Sequence, residues 1–416
     1  MERTEYRWRP LLVRYGAMMT LRAVVGVAAT LALATCTTTP PQAAPALTAH
    51  PPVTAGNAAP GGPPAAASRA HAPTPAPSGV TPAAQDVAAQ VDAYLTPHVA
   101  AGTFSGSILI AREGTILASK GYGRANRELD VPNTPATKFR LGSVTKQFTA
   151  MAILRLQQQG KLTVQDRICA YIPHCPAAWQ AITIHHLLTH TSGLWNFTDL
   201  PDYQRTKTVP STPSQTLARV KDKPLLFTPG TSYSYSNTGY VLLGAIIEKV
   251  AKKLYPLVLR EQIFAPLQMH NTGYDTSIVL PQRAAGYTRG GQFNADYVDM
   301  SIPHAAGGLY STVEDLYRWD QALYTDKLVP TAALATMFTA HAPFPPPREG
   351  GYGYGWEIFK VHDRRVTAHL GGIEGFSAGI TRFPDDKVTV IVLSNFEAVD
   401  VGTISMDLAD MVFQAR

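Results

Sequence analysis

The sequence predicts a mixed α/β (α+β) fold in which one antiparallel sheet is assembled from strands near both ends of the globular part. Strand patterns lie at 107–111 and 116–120, and they return only after residue 355. The long middle of the chain reads as helical segments broken by Pro and Gly. We therefore expect a sheet flanked by helices, with a mainly helical lobe inserted between its two halves.

The first elements of the globular part follow from local patterns. Glu113 and Gly114 are expected to join the first two strands, and Gly160 is the natural stop of the second helix. That helix carries its apolar residues on one face: Val144, Phe148, Met151 and Ala152. In chain order, this part predicts a helix, two strands and a second helix: 85–99, 107–111, 116–120 and 144–159.

The later elements have similarly simple signals. Residues 240–254 form a clear apolar helix pattern, and Ser311-Thr-Val-Glu314 matches a capping box for a helix that runs towards Leu323. From Tyr352 the pattern changes to strands, and a last helix closes the chain. The predicted strands and final helix are 356–361, 366–369, 376–383, 388–394 and 404–413.

Size and composition exclude several classes of protein. A chain of 416 residues with 45% apolar residues can bury a large core. The net charge is +6, and five arginines against two glutamates in the first 35 residues supply +3 of it, so no basic face for nucleic acid is indicated. Three cysteines exclude a cysteine-built zinc module. No apolar run reaches the roughly 18 residues of a membrane-spanning helix.

The N-terminal region, 1–36, reads as an export signal. An uncharged apolar run covers 23–34, directly after Arg22, which is typical of a secretory signal peptide. The segment that ends at Cys36 resembles the lipobox of bacterial lipoproteins, although Thr35 departs from the usual small residue. Lipidation of Cys36 and cleavage by an ordinary signal peptidase both stay open.

Residues 37–82 separate this signal from the globular domain, 83–416. They hold 12 of the 33 prolines and one charged residue, Arg69, and they show no hydrophobic period. Such a composition cannot bury enough apolar surface to offset chain entropy. We expect a disordered, extended spacer.

Two cysteines in the globular part are expected to pair. Cys169 and Cys175 are separated by five residues, and an oxidising compartment would favour a disulfide between them. A metal site is the alternative, because His174 lies between the cysteines, but no fourth ligand is evident.

The first motif with chemical potential is Ser143-Val-Thr-Lys146. At the start of a helix, this spacing puts the serine and the lysine one turn apart on one face. A serine hydroxyl needs a neighbouring base to act as a nucleophile, and a lysine serves once its proton is displaced. Alone the motif is weak, because an N-cap serine with a surface lysine has the same pattern.

The second motif is Tyr235-Ser-Asn237, which follows a turn-rich stretch that we expect to present both side chains on a loop. A phenol has a pKa of about 10, and a nearby Lys146 would favour its charged form, which can take the serine proton. The Asn237 amide both donates and accepts, which suits binding of an amide.

The third motif, His369-Leu-Gly371-Gly372, lies at the end of a predicted strand. Two glycines let a substrate approach the backbone closely. An N–H group there, together with that of Ser143, would form an oxyanion hole.

In this order the three motifs resemble the serine β-lactamase and penicillin-binding-protein-like family, closest to its class C branch. That branch has S-x-x-K, then Y-[SA]-N, then K-T-G or H-x-G. The resemblance covers about residues 83–416 and implies a β-lactamase/transpeptidase-like fold that works without metal or cofactor. Flanking text agrees in four segments: 187–194, 229–240, 306–312 and 352–356.

Carried over residue by residue, the resemblance implies that Ser143 is the acylated nucleophile. Lys146 and Tyr235 would share general-base work, and Asn237 would position the substrate. The oxyanion hole would consist of the N–H groups of Ser143 and Gly372.

His369 stands where many members of that family have a lysine, whose fixed cation helps to hold a substrate carboxylate. A histidine is only partly charged near neutrality. The resemblance therefore implies that esters or other peptides suit this chain better than β-lactams do.

Two rival motifs are weaker. Gly375-Phe-Ser377-Ala-Gly379 matches the nucleophile elbow of α/β-hydrolases, but a strand is predicted through it and no histidine follows Ser377. His186 and His190 have the i, i+4 spacing of a zinc helix, but the glutamate that a zincin needs is missing. The resemblance implies that His190 is structural and leads into a tight turn.

The sequence thus predicts an exported serine hydrolase, periplasmic or secreted, that acts by acyl transfer through Ser143. Its expected partner is a small-molecule or peptide substrate, with a cell-wall origin as one option, and a lipid anchor would hold it at a membrane if Cys36 is acylated. No nucleic acid is expected. The candidate substrates are a β-lactam, a D-amino-acid peptide and a carboxylic ester. The alternative is a penicillin-binding sensor module that is acylated without turnover.

Overall fold

The computed structural model describes residues 82–288 and 290–415. The predicted signal region 1–36, Cys36 and the predicted spacer up to residue 81 lie outside this part. Its helices are α1 Pro82–Ala100, α2 Thr145–Gln158, α3 Ile184–Leu188, α4 Tyr203–Thr206, α5 Pro213–Ala218, α6 Asn237–Ala251, α7 Tyr255–Leu259, α8 His304–Gly307, α9 Val313–Ala322, α10 Thr331–Met337 and α11 Val401–Gln414.

The strands alternate with these helices in a pattern that leaves the middle of the chain mainly helical. They are β1 Gly106–Arg112, β2 Thr115–Tyr122, β3 Arg124–Asn126, β4 Val131–Pro132, β5 Phe139–Arg140, β6 Gly273–Tyr274, β7 Tyr287–Thr288, β8 Phe293–Asn294, β9 Leu309–Ser311, β10 Ala342–Pro343, β11 Gly351–Tyr352, β12 Glu357–Val361, β13 Arg364–Ile373, β14 Phe376–Phe383 and β15 Val388–Ser394.

One antiparallel sheet joins the two ends of the described chain. Its strand order is β10-β11-β12-β13-β14-β15-β1-β2. Strand β1 lies between β15 and β2, with Gly106 opposite Ser394 on one side and Tyr122 on the other. The predicted sheet, built from both termini and flanked by helices, is therefore confirmed.

Side chains of the sheet alternate between two apolar layers. On β1, Ile108 and Ile110 pack with α1 and α11, whereas Leu109 and Ala111 pack with the core around α2. This follows from the period of two in a strand. Because both faces are covered by helices, β14 and β15 are buried along their whole lengths.

Three helices differ from their predicted form. Helix α2 is buried on all sides from Thr145 to Leu154 rather than along one face, because it packs against α6, α7 and α8 within the larger apolar core. Helix α9 is capped by Thr312, whose side chain accepts from the Asp315 N–H, so the predicted cap at Ser311 is one residue early. Helix α6 begins at Asn237, three residues before the predicted start.

The predicted disulfide is confirmed, since Cys169 and Cys175 are bonded. Both residues pack against the edge of the larger apolar core. Among the described helices, none is long and apolar enough to cross a membrane.

Candidate active site

Ser143 lies on a short 3₁₀ turn, Gly142–Val144, immediately before α2. Gly142 has φ +50°, a left-handed conformation that glycine adopts without strain. The turn brings the half-buried Ser143 side chain to the first turn of α2. Ser143 Oγ lies 2.9 Å from Lys146 Nζ, so the predicted neighbourhood of serine and lysine is present in the structure.

The Lys146 side chain is completely buried at 0% exposure, and its Nζ contacts three oxygen atoms. Besides Ser143 Oγ, Nζ lies 2.8 Å from Asn237 Oδ1 and 2.8 Å from the Ala306 carbonyl oxygen. Burial holds the pKa of Lys146 well below its usual value. A neutral amine has two N–H bonds and one lone pair. In that form, N–H groups donated to the two carbonyl oxygens would leave the lone pair for the Ser143 hydroxyl.

Asn237 is fixed from three sides at the start of α6. Its backbone N–H donates to Asn196 Oδ1 at 3.0 Å, which satisfies one of the free donors of the helix N-terminus. Its side-chain nitrogen lies 3.3 Å from Thr198 Oγ1, and its side-chain oxygen faces Lys146. The expected loop position is wrong for Asn237, because the residue belongs to the helix, but its amide still lies beside Lys146.

The Tyr235 ring lies next to Lys146, with Nζ 4.8 Å from the ring centroid. The centroid of the His190 ring is 4.2 Å away, and that of His369 is 6.5 Å away. The second and third motifs therefore meet the first around Lys146, although they are far apart in the chain.

His369 is buried at 2% exposure and is not the partly charged residue expected from the sequence. Its Nδ1 lies 2.6 Å from the Leu370 carbonyl oxygen, so Nδ1 carries the proton, and its Nε2 accepts from the Tyr352 hydroxyl at 2.8 Å. Burial lowers the pKa of His369 to about 3. The imidazole is neutral and supplies no cation to a substrate.

Gly371 and Gly372 lie on β13 directly beside the Ser143 turn. A Cβ on Gly371 would lie 2.0 Å from the Leu141 carbonyl oxygen and 3.0 Å from the Ser143 nitrogen. A Cβ on Gly372 would meet nothing within 4 Å. The absence of a side chain at Gly371 therefore allows the strand to touch the serine turn, whereas Gly372 faces open space.

The rival motifs are occupied by other interactions. Ser377 lies within β14 at 5% exposure, and its Oγ accepts from the Val399 N–H, so no strand–turn–helix elbow presents it. His186 Nδ1 accepts from the Thr183 N–H, and His190 Nδ1 accepts from the Ser236 N–H. The two histidines thus use these nitrogens in local hydrogen bonds.

Four residues at the site have no functional role predicted from the sequence. Asn196 and Ala306 bind Asn237 and Lys146, and neither belongs to a motif. Tyr352 and Ala306 lie in flanking segments that carry the resemblance, so the signal was present but assigned no role. His190 was interpreted as structural only. Each acts through a tertiary contact that local sequence patterns do not encode.

The comparison with known families agrees with this geometry. The family model described as Beta-lactamase matches residues 91–405. The chain belongs to the β-lactamase family. The enzyme is thus a serine hydrolase of the β-lactamase type.

Members with similar sequences include two proteins of Bacillus subtilis. Penicillin-binding protein 4* is 30% identical over 319 residues, which is 71% of this chain and 68% of that protein. Putative penicillin-binding protein PbpX is 32% identical over 297 residues, which is 71% of each chain. Both matches span most of the globular part of this β-lactamase-family chain.

Two solved structures show the same fold. The octameric penicillin-binding protein homologue from Pyrococcus abyssi has a TM-score of 0.71 and 29% identity, covering 78% of this chain and 77% of that one. D-amino acid amidase from Ochrobactrum anthropi has a TM-score of 0.69 and 27% identity, covering 79% and 98%. The β-lactamase/transpeptidase-like fold is therefore confirmed.

Proposed function

We propose that this β-lactamase-family enzyme is an exported hydrolase that forms a covalent acyl-enzyme on Ser143 from an ester or amide substrate. The arrangement of Lys146 carries the proposal. Its buried amine lies within hydrogen-bond distance of the oxygens of Ser143, Asn237 and Ala306. In its neutral form, with both N–H groups on Asn237 and Ala306, the lone pair is free to accept the Ser143 proton. A lysine held in this way is a base next to a nucleophile.

Acylation then has a simple proton balance. Ser143 Oγ attacks the substrate carbonyl carbon while its proton passes to Lys146 Nζ, and the carbonyl π electrons move onto the oxygen. As this tetrahedral intermediate collapses, the bond to the leaving group breaks. The leaving group takes the proton from Lys146, with Tyr235 beside Nζ as the group that shares the transfer. The product is an ester on Ser143.

Deacylation uses the same groups in reverse. A water molecule attacks the Ser143 ester, and its proton moves to the base formed by Lys146 and Tyr235. The proton returns to Ser143 Oγ as the carboxylic acid leaves. The negative oxygen of both tetrahedral intermediates would lie between the N–H groups of Ser143 and Gly372, where the strand contacts the serine turn.

The electrostatics of the site favour substrates without a carboxylate to be clamped at position 369. His369 is neutral and has both nitrogens bonded internally. The similar proteins include a D-amino acid amidase and a penicillin-binding protein, which supports amides and peptides as candidate substrates. We therefore expect carboxylic esters and small D-amino-acid amides or peptides to react faster than penicillins.

Export rests on the N-terminal sequence and on the disulfide. A signal-like run precedes Cys36, and a bonded Cys169–Cys175 pair suits an oxidising compartment. The corresponding location is periplasmic or secreted, with a lipid anchor if Cys36 is acylated. Mass spectrometry of the mature N-terminus distinguishes a lipidated from an unmodified form.

Intact-protein mass spectrometry tests the catalytic part of this proposal. The full chain is incubated with a small activated ester or a chromogenic cephalosporin and compared with Ser143→Ala and with Ser377→Ala as the matched control. We expect the adduct and its turnover to disappear only in Ser143→Ala. Activity that survives in Ser143→Ala would overturn the proposal. An adduct on Ser143 that never turns over would instead identify the penicillin-binding sensor alternative.

A further inference from the structure

His190 makes contacts on both sides of Tyr235. The carbonyl oxygen of His190 accepts from the Ser234 N–H at 2.9 Å, and its Nδ1 accepts from the Ser236 N–H at 3.1 Å. Its ring lies 4.2 Å from the Tyr235 ring, at an interplanar angle of 35°. One residue therefore holds the backbone before and after Tyr235 and also packs against its side chain.

The backbone of His190 is itself held firmly. It follows α3 with φ +59°, at a turn where the Thr191 N–H donates to the His186 carbonyl oxygen. The Thr191 carbonyl oxygen accepts from the Gly230 N–H at 2.8 Å, on the segment that leads to Tyr235. The histidine thus connects a rigid helix end to the loop that carries the tyrosine.

The hydrogen bonds of His190 determine its tautomer. Because the Ser236 N–H donates to Nδ1, that nitrogen has a lone pair and the proton lies on Nε2. Protonation of Nδ1 would place two donors against each other. The ring is 1% exposed, and burial with Lys146 and His369 nearby lowers its pKa well below the usual value. Four tyrosines, Tyr233, Tyr235, Tyr240 and Tyr352, face the ring.

The Nε2–H group of His190 is buried, and no partner is recorded for it in the described part of the chain. An unsatisfied buried donor is a cost that an apolar ring of similar shape would avoid. The feature that an apolar ring cannot reproduce is the acceptor at Nδ1. The imidazole is therefore explained by its bond to Ser236 rather than by core packing alone.

We infer that His190 is a positioning residue for catalysis, which holds Tyr235 beside Lys146 through the neighbouring backbone and the flat ring contact. This inference rests on the proposed acyl-enzyme mechanism, in which Tyr235 shares the proton transfer. A shift of Tyr235 slows the proton transfers, while the groups that bind substrate stay in place. Within the described residues, the hydrogen bonds that His190 accepts come from the segment around Tyr235 rather than from Ser143 or Lys146.

Two substitutions separate the acceptor from the ring. His190→Phe keeps a flat ring and removes the acceptor, whereas His190→Asn puts an amide oxygen near the place of Nδ1 and removes the ring. We expect kcat for a small ester to fall about 10- to 100-fold in His190→Phe, with KM changed less than threefold. The decrease in log kcat should be at most half as large in His190→Asn as in His190→Phe.

A pH–rate profile supplies a readout that loss of stability alone would not move. Single-turnover acylation should show a shifted midpoint in His190→Phe, since the surroundings of Tyr235 change, and a smaller shift in His190→Asn. His186→Asn is the matched control, because His186 lies on α3, just before His190, and the change alters the Thr183 contact instead. It should lower the melting temperature and leave kcat within twofold.

The inference is overturned if folded His190→Phe has a kcat within threefold of the native value. It is also overturned if His190→Phe and His190→Asn lose activity equally and neither shifts the pH–rate profile. If His190→Phe does not fold, His190→Gln replaces it, because its amide oxygen reaches the place of Nε2 rather than Nδ1. Equal activity of Gln and Asn would then contradict the inference. If Ser143→Ala is inactive but His190→Phe is fully active, this inference is wrong and the proposed function is still supported.

Discussion

Lys146 Nζ donates to the carbonyl oxygen of Ala306 at 2.8 Å, across 160 positions of the chain. Ala306 lies in the four-residue helix α8, packed against both α2 and α6. This backbone oxygen brings no side-chain chemistry, yet it accepts a hydrogen bond from the lysine. When the amine is neutral, this contact and that of Asn237 Oδ1 would direct the lone pair towards Ser143.

Lys146→Arg tests whether the lysine acts as a base. An arginine stays protonated at any accessible pH, so it can donate to the surrounding oxygens but cannot accept the serine proton. We expect kcat/KM for an activated ester to fall about 10²- to 10⁴-fold, the range for loss of general-base catalysis. Stopped-flow acylation measures it, with the exposed Lys360→Arg as control. An arginine variant that acylates at the native rate would exclude the base role.

In the native enzyme, acylation should also depend on pH in a defined direction. Because burial lowers the pKa of Lys146, the amine is neutral over a wider range than a free lysine and is lost as a base only when pH falls through its lowered pKa. The acylation rate should therefore decline on the acid side. A rate that rises as the pH falls would contradict a neutral Lys146.

Gly371 and Gly372 should respond very differently to alanine. The added methyl of Gly371→Ala would overlap the Leu141 carbonyl oxygen at 2.0 Å, so the strand must move away from the Ser143 turn. We expect a lower melting temperature and a kcat reduced at least about 100-fold, as for loss of an oxyanion donor. The added methyl of Gly372→Ala would have no atom within 4 Å, so this variant should have the melting temperature of the native protein. If the two variants had the same melting temperature, β13 would not be in close contact with the Ser143 turn.

The buried histidines should make the fold sensitive to acid. Burial lowers the pKa of His304 to about 4 and contributes to a pKa of about 3 for His369, against about 6.5 when exposed. Below pH 6.5 the unfolded chain binds protons that the native chain does not. The free energy of unfolding therefore falls as pH drops towards 4, by about 1.4 kcal/mol per pH unit for each such proton.

Urea unfolding at pH 7 and pH 5 measures this slope. His304→Asn should reduce it by about one proton. Asparagine tolerates the positive φ of this position, 39°, so the change itself adds little backbone strain. An unchanged slope in His304→Asn would mean that His304 is protonated in the native state.

The disulfide should stabilise the domain modestly without contributing to catalysis. Cys169 and Cys175 are separated by 6 positions, so the bond closes a small loop, and its removal should cost about 2 kcal/mol. Urea unfolding of the Cys169→Ser/Cys175→Ser protein measures this, with the native protein under reducing conditions as the parallel. Ester hydrolysis at 25 °C should stay within twofold. A large loss of activity would show that the loop closed by the disulfide contributes to the active site.

The fold could be predicted to a large extent because its strands carry local signals. Strands β14 and β15 begin and end where the apolar runs do, and the antiparallel sheet follows from strand patterns at both ends of the chain. Helix starts were less accurate. The N-terminus of α6 is satisfied by Asn196, 41 positions away, and no pattern near Asn237 reveals this.

For the site, the sequence predicts the three motifs and their order, because both are properties of the chain. The contacts that Asn196 and Ala306 add, and the protonation states of the site residues, depend on the fold. His369 was expected to be partly charged, but its burial against Tyr352 makes it neutral, and His190 was expected to be merely structural. Only the tertiary structure decides how much water and which partners surround each ionisable group. Desolvation and hydrogen bonding to those partners set the pKa, so the chemistry of Lys146, His190 and His369 depends on packing that local sequence does not specify.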